Sequence, residues 1–192
     1  VMVVWAVTDA AAGHKGITAF VVDGKAKGLH VARLEDKMGL HGSSTAQLAL
    51  DDVEVADDAV LGRVGGGFAL AMIALDGGRI GIASQAIGIA RAAYEATIAY
   101  VKDRKAFGAP IGTFQMTQAK IAEMKCKLDA AMLLTLRAAW LKGEGQRFTN
   151  EASIAKLVAS EAAMWIAHQA VQIHGGMGYS KEYHVERLWR DA

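Results

Sequence analysis

Cysteine and proline occur once each in 192 residues, aromatic residues make up 7%, and the formal net charge is only +1, from 21 Lys+Arg against 20 Asp+Glu. Each scarcity excludes something. The lone Cys126 rules out an internal disulfide and any cysteine-rich zinc ribbon. It is expected to serve as a small apolar residue inside a helix, in a reducing compartment. The balanced charge, with no basic block, leaves no electrostatic footprint for nucleic acid or an anionic membrane. No run of about 18 uninterrupted apolar residues exists, so no membrane span is expected. Neither Glu-x-x-His nor His-Glu-x-x-His occurs, and His168 and His174, six apart, fall on different faces of a helix. Metal catalysis is not expected, and the aspartates at 51, 52, 57 and 58 lack the spacing of a calcium loop.

What is present is apolar, 53% of the residues, and changes character once. Up to about residue 60 the signals are those of strands: MVVWAV and ITAFVV around the turn-rich TDAAAGHKG, then LHVARL, TAQLAL and a short DVEV. From Gly67 a helical period takes over. Phe68, Met72, Leu75, Ile82, Ala86 and Ile89 are expected on the inner face of a first helix reaching Tyr100. A second helix is expected over Gln115 to Leu141, with Ile121, Met124, Leu128 and Met132 inward. A third is expected over Asn150 to Ile173, with Asn150 as cap and Ile154, Leu157, Val158 and Trp165 inward. A fourth begins near Ser180. The fold class is therefore α+β: residues 1–62 form part of a small antiparallel β domain, and 63–192 an antiparallel helical bundle. VMVVWAV has no initiator methionine or signal-peptide features, and ERLWRDA stops inside a helical pattern. Both ends are expected to lie within a longer protein.

Three stretches do not fit a simple helical core. RKAFGAPIGTFQ places a cation, an aromatic and Gly108-Pro110 where a helix ends, and QIHGGMGY follows, with Gln172 68 residues (172 − 104) beyond Arg104. Taken singly, Arg104 could be a helix-end cation and the glycines helix stops. The first helix also carries Gly77, Gly78, Gly81 and Gly88, at about 0.8 to 1 kcal/mol each relative to alanine. A compensating close approach is expected: helix packing for Gly81 and Gly88, room for a polar ligand for Gly77-Gly78 between Asp76 and Arg79.

LDGGRIGIASQAIGIA, RKAFGAPIGTFQ, EASIAKLVASEAA and QIHGGMGY, in that order and spacing, resemble the acyl-CoA dehydrogenases, particularly the short-chain or butyryl-CoA type. The likeness covers essentially the whole chain, including KGITAFVVD, KMGLHGSSTAQLALDDVEV and VERLWRDA. It implies a flavoprotein that holds FAD, oxidises an acyl-CoA thioester to the trans-2-enoyl-CoA and passes electrons to an electron-transfer flavoprotein. It also implies a homo-oligomer, a dimer of dimers, located in the cytoplasm if bacterial and in the mitochondrial matrix if eukaryotic.

By this resemblance Arg104 reaches the FAD pyrophosphate of a neighbouring subunit, Phe107 packs by its adenosine and Gln115 contacts the same cofactor. Gln172, Ile173, His174, Gly175 and Gly176 cradle its ADP part. Asp76, Gly77, Gly78 and Arg79 line the acyl-CoA channel. No catalytic base is assigned within the chain: one position used in the family matches Gly78, so the glutamate is expected beyond Ala192. An acyl-CoA oxidase or flavin monooxygenase on the same scaffold is the rival enzyme reading. A non-enzymatic helical interaction module is the rival of another class.

Overall fold

The computed structural model describes residues 1–192, and its contacts divide the chain into two compact units. The first comprises Val1–Lys37 and His41–Leu75; the second comprises Met38–Leu40 and Asp76–Ala192.

In the first unit β1 (Met2–Val7) pairs antiparallel with β2 (Ile17–Val22), from Met2 opposite Val22 to Val7 opposite Ile17. β3 (Leu29–Leu34) pairs with β4 (Ala46–Leu50), with an irregularity between Val31 and Arg33. Thr18 is fully buried, and its hydroxyl receives the Gly65 N–H at 2.9 Å and shares a 2.8 Å hydrogen bond with that of Thr8. DVEV, expected as a strand, is irregular; instead Val60 makes a single bridge to Phe20 after a 3₁₀ turn at Asp57–Ala59. The turn aspartates cut the run short, since their side chains favour turns over a ladder.

The second unit is helical. α1 (Gly67–Asp103) begins in the first unit and enters the second at Asp76. A two-residue hairpin, β5 (Lys105–Ala106) and β6 (Ala109–Pro110), leads to α2 (Gln115–Gly143). α3 (Thr149–His174), α4 (Gly176–Tyr179) and α5 (Val185–Asp191) complete it. The expected inner faces are only partly observed. Met124, Leu128 and Ala86 are buried, but Phe68, Met72, Leu75, Ile82, Ile154 and Leu157 are exposed. The core is lined instead by alanines: Ala83, Ala90 and Ala93 of α1, Ala131 and Ala138 of α2, and Ala155, Ala159, Ala163, Ala167 and Ala170 of α3. Alanine is the best helix former and its short side chain lets helices approach closely, so a small-residue stripe here outcompetes the bulky one. Cys126 is exposed on α2 rather than buried, and Asn150 is not a cap, since α3 starts one residue earlier at Thr149.

By length and composition α1 is long and apolar enough to cross a bilayer, with a mean hydropathy of 1.3 over its most apolar window. The run-based reading missed this because Gly, Ser and Gln interrupt its apolar residues without much lowering the mean. Only 11% of that window is buried within this chain, so the chain's own core does not account for its apolar character, although α1 as a whole gives four alanines, Thr97 and Val101 to the buried set.

Candidate functional site

Arg104 follows the last turn of α1. Its N–H donates back into the helix, to Tyr100 O at 2.9 Å, and its carbonyl accepts from the Ile111 N–H across the hairpin at 2.9 Å, so both backbone groups are fixed. Its exposed guanidinium pairs with no carboxylate of this chain. Phe107 and Gly108 form the hairpin tip with φ of 51° and 82°, the double left-handed geometry of a tight two-residue turn. Asparagine or glycine is the usual first residue there; a phenylalanine is strained and, at 99% exposure, gains no packing inside the chain that would offset it. Its ring only meets Phe114 edge-on at 6.3 Å. Gln115, the first residue of α2, is exposed.

The second stretch closes α3. Gln172, Gly175 and Gly176 are exposed, and Gly175 ends the helix with φ 59° and ψ −134°, a conformation for glycine. A side chain at either glycine would meet open space. Ile173 and His174 point the other way. Ile173 packs against the core, and the His174 ring, 3% exposed, stacks on Tyr100 at 4.1 Å with Tyr183 edge-on at 5.7 Å. His174 Nδ1 donates to Ala170 O at 2.7 Å, since a carbonyl only accepts. Burial lowers the His174 pKa below the usual histidine value, opposed by the Ala170 hydrogen bond and assisted by nearby His184. Of the five residues QIHGG, three therefore face outward, and the side chains of Ile173 and His174 turn toward the chain's own core.

Asp76, Gly77, Gly78 and Arg79 lie in α1 where it enters the second unit. Asp76 Oδ1 pairs with Arg79, and Oδ2 accepts from the Thr149 hydroxyl at 2.7 Å at the start of α3. A side chain at Gly77 would come 3.2 Å from Lys142 Nζ, whereas one at Gly78, Gly81 or Gly88 would meet nothing within 4 Å. The close packing expected for Gly81 and Gly88 is thus absent from this chain. Sequence reasoning missed Thr149, Lys142, Tyr100 and Tyr183. Only Tyr100 carried a signal, four residues before Arg104 and so on the same helix face.

The two sets lie at opposite ends of one helical segment. From Asp76 to Asp103 is 27 residues (103 − 76), about 40 Å at 1.5 Å per residue. No group of three or more His, Cys, Asp or Glu side chains is gathered to hold a metal.

Residues 65–192 match the family model described as "Acyl-CoA dehydrogenase, C-terminal domain", two thirds of the chain. The chain belongs to the acyl-CoA dehydrogenase family. It is 52% identical over 191 residues to the mitochondrial short-chain specific acyl-CoA dehydrogenase of Bos taurus, covering 100% of this chain and 46% of that protein. It superposes on butyryl-CoA dehydrogenase from Megasphaera elsdenii with a TM-score of 0.97 at 48% identity, over 98% of this chain and 49% of the other. A subunit of the caffeyl-CoA reductase-Etf complex of Acetobacterium woodii is 48% identical over 190 residues, 99% of this chain and 50% of that protein. The chain thus spans about half the length of the curated relatives it matches. Its mixed architecture, small antiparallel sheets followed by helices, is that of the family's middle and C-terminal domains.

Proposed function

We propose that the protein containing these residues is an FAD-dependent dehydrogenase of short acyl-CoA thioesters, forming the trans-2-enoyl-CoA and passing electrons to an electron-transfer flavoprotein. The observation that carries this reading is the separation of two differently built surfaces along one helix. A ligand touching both would have to span about 40 Å, more than the ~30 Å width of a small domain. The two sets then serve different ligands: Asp76–Arg79 is assigned to this copy's substrate channel and the Arg104 end to the cofactor of another copy, a reading that calls for a symmetric oligomer, a dimer of dimers.

The residues present suit FAD. A guanidinium without a carboxylate partner is a donor set for pyrophosphate. The exposed amides of Gln115 and Gln172 suit ribose and phosphate oxygens, Phe107 offers a bare ring to adenine, and Gly175-Gly176 leave the main chain approachable. When bound, FAD supplies the acceptor for a hydride from the β-carbon. This chain's own part is to bind and orient. Asp76 holds Arg79 through one oxygen and α3 through Thr149 with the other, leaving the remaining Arg79 donors for the thioester end and coenzyme A chain. Gly77 and Gly78 keep that helix face low. Both Asp76 oxygens are engaged, by Arg79 and by Thr149, which suits a positioning role rather than that of the base. The α-proton goes to a carboxylate outside these residues.

The relative within a caffeyl-CoA reductase-Etf complex favours a second reading, the same two-hydrogen transfer run toward reduction. The full-length protein, purified with its flavin, distinguishes them. Butyryl-CoA with an oxidised acceptor should yield the enoyl-CoA faster than enoyl-CoA with reduced electron-transfer flavoprotein is consumed; the reverse ratio makes it a reductase. Arg104→Ala should weaken FAD retention by about 10- to 100-fold, the range of a charged hydrogen bond. Unchanged retention would return Arg104 to the role of a helix-end cation.

A further inference from the structure

We propose that Tyr100 is the positioning residue that locks the end of α3 against the Arg104 turn, making the two separated stretches one cofactor-facing surface. The inference rests on the FAD reading above. Tyr100 lies in the last turns of α1, one turn before Arg104, and its side chain reaches the end of α3. Its carbonyl accepts the Arg104 N–H at 2.9 Å as the closing i→i+4 bond of α1, which any residue there would make, whereas its hydroxyl donates to His174 O at 3.3 Å, across 74 positions of sequence. The last carbonyls of a helix have no partner within it, so an outside donor there fixes where the helix end lies. The ring adds a second restraint. It stacks within 21° of parallel on His174, and Tyr183 closes the edge of both rings, at 5.5 Å from Tyr100 and 5.7 Å from His174.

Two polar groups of His174 are taken up within the chain. The His174 Nδ1–H is taken by Ala170 O and its carbonyl by Tyr100, so neither group is left to address a ligand directly. What the cluster delivers is the placement of Gly175 and Gly176, the outward-facing residues that follow at once. A side chain that merely filled space would be replaceable by phenylalanine, which keeps the ring and removes one oxygen. That difference makes the proposal testable.

In the full-length protein, Tyr100→Phe should raise the FAD dissociation constant about 3- to 10-fold, as expected for one hydrogen bond, with little change in apoprotein melting. It should also speed amide hydrogen exchange selectively at Gly175 and Gly176 in the flavin-free protein, a readout independent of turnover. Combined with Arg104→Ala, the loss should be less than the product of the two single losses, because both act on one surface. If Arg104→Ala weakens FAD binding while Tyr100→Phe leaves both FAD affinity and exchange at Gly175 and Gly176 unchanged, Tyr100 is packing only and the proposal fails alone. If Arg104→Ala has no effect either, the cofactor surface itself is misassigned and the proposal falls with it.

Discussion

The two ends of the bundle segment of α1 are built on opposite principles. Around Asp76 the polar groups answer one another: carboxylate to Arg79, carboxylate to Thr149. Around Arg104 they do not. The guanidinium has no carboxylate partner, Phe107 stands in solvent in a strained conformation, and Gln115 and Gln172 are exposed. Internally satisfied polar groups orient one another and leave few donors for a ligand, whereas unpaired ones and strain without local compensation mark a surface completed by something else. The same chemistry at the level of residue type thus divides into a braced face, on which only the remaining Arg79 donors stay available, and an open docking face.

The sharpest way to break this comparison is at the brace. Asp76→Ala strips a partner from both Arg79 and the Thr149 hydroxyl in a part-buried setting, and should destabilise the protein by about 1 to 3 kcal/mol. The Arg79 pair alone is too exposed for the upper figure, so most of the loss is carried by the link to α3. Chemical denaturation of the full-length protein measures it. A loss within error would mean that Asp76, like Arg104, is held in reserve for a ligand.

At the other end the sign should reverse. Phe107→Asn replaces a residue poorly suited to positive φ by one suited to the first position of this turn, directly before Gly108. It should stabilise the apoprotein by about 1 kcal/mol, the size of the left-handed penalty removed. FAD affinity should fall at the same time. A variant that is both more stable and equally tight in flavin would leave the strain at Phe107 without a function.

His174 tests where the boundary between the two kinds of surface runs. Its pKa is lowered chiefly by burial, so the unfolded chain takes up a proton before the folded one does. The neutral ring's contribution is therefore intact above the ordinary value near 6.5 and is lost as the pH falls from there through the lower folded value. Tyr100 and Asp103 of α1, and Tyr183 and His184 of the segment before α5, line the same cavity, so the comparison needs a variant of His174 alone. Stability measured between pH 7 and pH 5 should decline in the parent, and the decline should shrink in His174→Phe. Equal slopes would place that histidine's titration outside the folding equilibrium.

How much of this could be read from the sequence depended on what each feature needs. The start of α2 at Gln115 was legible, and so were the four strands β1 to β4, because pattern and turn residues agreed. The core was misread because a hydrophobic pattern favours bulky residues, while these helices meet through alanines and leave Leu157, Ile154 and Leu75 outside. The hairpin was missed because two-residue strands carry no periodicity and Phe-Gly is not a usual turn pair. Motif residues could be named, but not their direction. Nothing in QIHGG says that His174 turns inward while its neighbours Gln172 and Gly175 face out; that follows from Tyr100, on a different helix.

The smallest expected effect separates the glycines of α1 by their surroundings. Gly78 and Gly88 are both exposed, both helical, and both open to a side chain with nothing within 4 Å. Within this chain they are equivalent, so Gly78→Ala and Gly88→Ala should each stabilise the apoprotein by about 0.4 to 1 kcal/mol through helix propensity and a less flexible unfolded chain. They differ only in neighbourhood: Gly78 lies between Asp76 and Arg79, whereas Gly88 is ten residues on (88 − 78), about 15 Å along the helix. If the Asp76–Arg79 face is the acyl-CoA channel, the methyl group at Gly78 occupies space meant for the thioester chain. Gly78→Ala should then raise the dissociation constant for butyryl-CoA several-fold, while Gly88→Ala leaves it unchanged. Equal acyl-CoA affinity in the two variants, with the stability gain present in both, would leave the Gly77-Gly78 pair unexplained by substrate and move the channel off this face of α1.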